Sequence, residues 1–117
     1  MNLANLFKSD DKVTTVPAGQ LVLREGDENH TMYVVIEGQL EIRHNGESVE
    51  RIESGDVFGE MSLIDHTPVS ADVVAITESR IEPVDEKRFH FLVQNHPFFA
   101  IEIMRIMARR IRNNNDR

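Results

Sequence analysis

The residues with the most chemical content are gathered in one stretch, Gly55-Asp-Val-Phe-Gly-Glu-Met-Ser-Leu-Ile-Asp-His-Thr-Pro-Val-Ser-Ala-Asp-Val-Val-Ala75. Gly59 lets a backbone turn tightly or approach a ligand closely, and Glu60-Met-Ser-Leu-Ile-Asp65 is long enough for one or two helical turns whose free N–H groups favour an anion. The Ser70 hydroxyl and the N–H groups of Ser70 and Ala71 are further anion donors. Taken alone, Glu60 beside Gly59 reads as a carboxylate at a helix start. If Ser70 faces a pocket on a strand, Asp72 shares that face, and its carboxylate repels an anion; the alternative is an Asp72 exposed near the loop, with no consequence for the pocket. His66 is a conceivable further charge, but it sits three positions before Val69, and a loop histidine is more often merely solvated.

Other chemistries find little support. The histidines at 30, 44, 66, 90 and 96 lack metal-ligand spacing apart from His90 and His96, which straddle a helix end, so no metal site is expected. There is no cysteine, no Gly-x-Ser-x-Gly, no Walker loop and no dinucleotide fingerprint, which leaves Ser or Thr nucleophiles without an evident base. We expect no enzyme, no catalytic residue and no cofactor.

The elements around this stretch are short strands followed by helices. Residues 1–12 form a helical lead-in. From Val13 to Val84 Gly and Pro punctuate apolar runs at the spacing of an antiparallel barrel or sandwich. Pro17-Ala-Gly19 joins Val13–Val16 to Leu21–Arg24. Thr31–Glu37 places Met32, Val34 and Ile36 on one face and Tyr33 and Val35 on the other, as in a strand buried on both sides. Gln39–Arg43 alternates, Asn45-Gly46 suits a type I′ hairpin, and Val49 and Ile52 lie on the return strand before a turn at Gly55-Asp56. After Pro83 the period becomes helical: Asp85 caps a helix with Phe89, Leu92 and Val93 as its apolar face, ending at Asn95-His96-Pro97. A second helix starts at Pro97 and carries two stripes, Ala100, Met104, Met107 and Ile111 beside Phe99, Ile103 and Ile106. One stripe packs on the body, and the other packs either there too or on a second copy of the helix. Residues 113–117 read as a frayed end.

Three segments in order, Leu23-Arg-Glu-Gly-Asp27, Met32-Tyr-Val-Val-Ile-Glu-Gly38 and the Gly55–Ala75 stretch, resemble the cyclic-nucleotide-binding domain family, the sensor module of catabolite-activator-type regulators, protein kinase A regulatory subunits and nucleotide-gated channels. The resemblance spans about residues 5–112. It implies a mainly β fold with flanking helices: an antiparallel jelly-roll barrel (a double-stranded β-helix) over residues 13–84, a phosphate-binding cassette at 58–71, and two C-terminal helices over 85–112. It also implies ligand contacts at Phe58, Gly59, Glu60, Met61, Ser62, Val69, Ser70 and Ala71, with Glu60 accepting a hydrogen bond from the ribose 2′-hydroxyl. Here the sequence departs from the family. The loop usually reads Pro-Arg-Ser/Thr-Ala, its Arg pairing with the cyclic phosphate, whereas this chain has Pro68-Val69-Ser70-Ala71. A charge-assisted bond to phosphate is worth about 1.5–3 kcal/mol, so its loss weakens cyclic nucleotide binding by about 10-fold to 100-fold or more.

Charge and length bound the role. The chain has 117 residues, 13 Lys and Arg against 20 Asp and Glu, and a net charge of −7, which disfavours nucleic-acid binding. Arg105, Arg109, Arg110, Arg112 and Arg117 crowd the last 17 residues against Glu102 and Asp116, so a basic tail follows an acidic body. It is either a solvated helix face or a surface for self-contact or a partner. No apolar run reaches the roughly 18 residues of a membrane span, and no basic-then-apolar leader opens the chain, so a cytoplasmic location is expected. If the chain is a piece of a longer product, an output domain would lie beyond Arg117 or before Met1, and the initiator-like Met1 argues weakly against an upstream one. Too few residues follow the second helix for a helix-turn-helix.

The function expected is a regulatory sensor that binds a cyclic nucleotide (cyclic AMP or cyclic GMP) weakly, or a different small effector. Capture at 58–71 would reposition the helices after Asp85, with a homodimer through the C-terminal helix or a separate output protein as partner. The alternative is a ligand-free dimerisation or protein-interaction module with a degenerate pocket. An open pocket lined by Glu60 and Ser70 favours the first, and one filled by its own apolar side chains the second.

Overall fold

The computed structural model of the chain describes residues 2–115. A short helix α1 (Ala4–Phe7) precedes eight strands: β1 (Thr14–Val16), β2 (Leu21–Leu23), β3 (Thr31–Glu37), β4 (Gln39–His44), β5 (Glu47–Glu53), β6 (Val57–Phe58), β7 (Asp72–Ala75) and β8 (Ser79–Asp85). Helix α2 (Glu60–Asp65) lies between β6 and β7, and α3 (Glu86–Asn95) and α4 (Pro97–Asn115) follow β8. All pairings are antiparallel and form two four-stranded sheets, ordered β1-β8-β3-β6 and β2-β7-β4-β5. This is the two-sheet form of the jelly roll.

β3 explains the layering. Met32, Val34 and Ile36 pack with Leu3 and Phe7 of the N-terminal segment and with Leu92, Phe99, Ile103 and Ile106 of the C-terminal helices. Val35 and Tyr33 face the other way, into the space between the sheets with Leu40, Ile52, Phe58, Val73 and Ile81. Alternation of side chains along one strand thus supplies two cores, and Met32, Val34 and Val35 are fully buried. The β4–β5 hairpin turns at Asn45 and Gly46 with φ of 54° and 80°, the type I′ geometry that Asn-Gly favours.

The helices depart from the sequence reading in three places. The Asp85 side chain caps α3 by accepting from the Arg88 N–H at 2.8 Å, but of the expected apolar face only Leu92 is buried, Phe89 is half-buried, and Val93 is exposed. On α4 Phe99, Ile103 and Ile106 are buried as one stripe. The uncovered stripe is Phe98, Ile101, Met104 and Ile111, because Ala100 and Met107 fall at the edge of the packed face. The helix also continues through Asn115, three residues past the expected end at 112; 116 and 117 lie outside the described residues.

A partly buried ionic cluster ties the N-terminal segment to α3. The Arg88 guanidinium donates to Glu82 and to Asp10, each at 2.5 Å, and lies 5.1 Å from the centre of the Phe7 ring. Glu82 is fully buried on β8, and burial pushes its carboxyl above the usual range against the pull of Arg88. Asp10 is held below the usual range, first by the Lys12 N–H and then by Arg88.

Candidate functional site

Gly59 sets the entry to α2. Its φ is +77°, and a Cβ there would come within 2.8 Å of the Thr31 carbonyl oxygen, so both the dihedral and the space require glycine. The Asn29 side chain holds that carbonyl by donating to it at 2.7 Å. At its other end α2 stops at His66 in the left-handed region (φ 62°), whose N–H returns to the Ser62 carbonyl. Asp65 then accepts from the Thr67 N–H and hydroxyl at 3.0 and 2.6 Å, bonds that lower its carboxyl below the usual range. Val69 is locked to the β2–β3 loop by two backbone bonds, its N–H to the Asp27 carbonyl at 2.9 Å and its carbonyl to the Gly26 N–H at 2.8 Å. The Leu23–Asp27 segment thus acts as the clamp for the loop after α2.

Between this loop, the β4–β5 hairpin and α4 lies a cavity of about 520 Å³. All eight residues named from the resemblance, Phe58, Gly59, Glu60, Met61, Ser62, Val69, Ser70 and Ala71, line it. Phe58 stacks on Tyr33 with ring centres 5.0 Å apart, and Val69, 7% exposed, joins the core between the sheets. An aliphatic wall therefore stands where the resemblance places a guanidinium.

Two residues weighed as charges at the pocket lie outside it, which is the alternative reading of each. Asp72 does not face the cavity: β7 begins at residue 72, so strand alternation does not extend back to Ser70, and the Asp72 carboxylate accepts from the Glu25 N–H at 2.7 Å. His66 is exposed outside the cavity, its ring nitrogen 3.9 Å from Glu86.

The sequence reading missed Arg110. Its Nε donates to Glu50 at 3.0 Å, Nη1 donates to Glu60 at 2.8 Å, and Nη2 donates to the Val57 carbonyl. Arg109 reaches Asp56 at 2.9 Å. Part of the basic tail is thus self-contact with the acidic body. The signal was helix phase: Arg110 continues the buried Phe99, Ile103, Ile106 stripe at a step of four, so its side chain enters the molecule. The partner Glu60 is itself buried, and the pair joins α2 to α4 across the cavity.

The sequence profile described as "Cyclic nucleotide-binding domain" matches residues 13–96, more than half of the chain. The chain belongs to this family. Within the cyclic nucleotide-binding domain family it is 35% identical over 105 residues to the cAMP-dependent protein kinase regulatory subunit of Schizosaccharomyces pombe, covering 87% of this chain and 24% of that protein. It is 29% identical over 105 residues to the CRP-like cAMP-activated global transcriptional regulator of Mycobacterium tuberculosis, covering 86% of this chain and 47% of that one. The solved Thermus thermophilus catabolite activator protein superposes with a TM-score of 0.74 at 25% identity, over 89% of this chain and 52% of that chain. The chain spans less than half the length of these two curated relatives. Relatives also include enzymes such as the lysophospholipase NTE1 of Chaetomium globosum, in which the match covers 7% of the protein. Among the described residues no helix is long and apolar enough to cross a membrane.

Proposed function

We propose that this cyclic nucleotide-binding domain is a non-catalytic sensor module whose effector occupies the cavity beside α2, and that Glu60 and Arg110 carry occupancy to α4. The observation behind this reading is the cavity itself: it is open, within the few hundred Å³ that small-molecule sites span, and lined by Glu60 and Ser70 rather than filled by the protein's own side chains. A ligand that engages Glu60 competes with or adds to the Arg110 contact, so α4 feels the ligand through one ion pair. Coupling follows if the ligand binds the two arrangements of α4 unequally. With Val69 in the loop, cyclic AMP or cyclic GMP is a weak effector, or a different small molecule is the real one.

Calorimetric titration of the protein with cyclic AMP and cyclic GMP, beside a Val69→Arg variant, tests this. Weak or no wild-type heat with clear saturation in the variant is the expected result. Tight wild-type binding would show that Val69 costs nothing, and absence of binding in both would favour a protein-interaction module. That second reading draws on the uncovered stripe of α4, where Phe98 and Met104 are 66% and 59% exposed.

A further inference from the structure

Glu50 brings a second carboxylate into the cavity. On β5 it shares a strand face with Ile52, which is fully buried between the sheets, so the alternation that buries Ile52 also turns Glu50 inward at the rim. Among the described residues, the charged or titratable side chains lining the cavity are His44, Glu50, Glu60 and Arg110. The one arginine is divided between the two carboxylates and a backbone carbonyl. The His44 ring is 3.1 Å from yet another carboxylate, Glu25. With Glu60 alone Arg110 would make a neutral pair; with Glu50 the lining is net negative. The neighbouring lining on the same sheet, Leu23, Ile42 and Val73, together with Val69 of the loop, is aliphatic and supplies no counter-charge. An anion entering this space loses its hydration and meets an excess of carboxylate, whereas hydroxyl and amine donors are welcome, because carboxylates only accept.

Resting on the reading of the cavity as an effector site, we propose that Glu50 is a specificity-determining residue that turns the pocket against phosphate-bearing ligands and towards uncharged, donor-rich ring compounds of the same size, a nucleoside over its cyclic phosphate.

The test titrates adenosine, guanosine and their 3′,5′-cyclic monophosphates into the full chain, Glu50→Gln, Val69→Arg and the double variant. Gln keeps the shape of Glu50 and still accepts from the Arg110 Nε, and a melting curve checks that each variant folds. The wild type is expected to bind nucleoside at least as tightly as cyclic nucleotide. Glu50→Gln is expected to shift that ratio about fivefold towards the cyclic nucleotide, in the wild-type background or, if binding there is below detection, in the Val69→Arg background. A ratio unmoved by Glu50→Gln, or a wild type that prefers the cyclic nucleotide, overturns the proposal while leaving the effector site standing. Silence of all four proteins towards every probe overturns the effector site and this proposal together.

Discussion

Arg110 concentrates three hydrogen bonds in one side chain, and two of its acceptors are carboxylates that would otherwise face each other across the cavity rim. Replacing it with Met keeps an apolar stem of similar length but leaves Glu60 without its partner. We expect a loss of about 2–4 kcal/mol in urea unfolding, less than for a fully buried pair because Glu50 remains partly hydrated. Gly59→Ala should also destabilise, by about 1–3 kcal/mol, since a side chain at positive φ would press on the Thr31 carbonyl; equal melting temperatures would refute the steric argument. At this scale the sequence was legible where spacing is local. The run from Phe58 to Ala71 is contiguous, so all of its assigned residues meet at one cavity. Arg110 arrives on a helix face 60 residues from Glu50 and 50 from Glu60, and Glu50 on a strand face outside the run, so only tertiary packing brings them in. Asp72 had two readings because alternation alone does not say where a strand begins; β7 starts at residue 72, so Ser70 and Asp72 do not share a strand face.

α3 is fixed at its start by more than its apolar face. The Asp85 cap and the Arg88 pairings with Glu82 and Asp10 act within one turn, and the cap alone is worth about 1 kcal/mol by Asp85→Ala. The cluster carries a pH dependence. Because Asp10 is depressed in the folded protein, first by the Lys12 N–H and then by Arg88, its contribution is present above the ordinary aspartate value of 3.8 and is lost as pH falls through its folded value. Asp10→Asn should therefore flatten the acid side of a stability–pH curve measured by thermal melting; an unchanged acid limb would rule out this role. Glu82 acts in the opposite sense: burial raises it, so it costs stability as pH rises above 4.5. The strands from Thr31 to His44 were readable because two-sided burial and Asn-Gly are local signals. Val93 was not, since periodicity gives the phase of a helix but not how much of its surface the body covers; Phe91 beside it is 57% exposed.

For the molecule as a whole, the stripe Phe98, Ile101, Met104 and Ile111 leaves an apolar line along α4 that a second copy could cover. If the homodimer forms, sedimentation equilibrium will give twice the chain mass, and Met104→Glu will return the monomer without altering the melting of the barrel. A monomer at all concentrations would leave a separate output protein as the partner. The two cores on opposite faces of β3 set a limit of another kind, on which changes of length this chain tolerates. Insertion or deletion of a single residue within Thr31–Glu37 would exchange the sets that face the helices and the opposite sheet, putting Met32, Val34 and Ile36 where Tyr33 and Val35 now sit. A change of length in a turn leaves that alternation intact, but this strand is a fixed ruler against which both halves of the protein are measured.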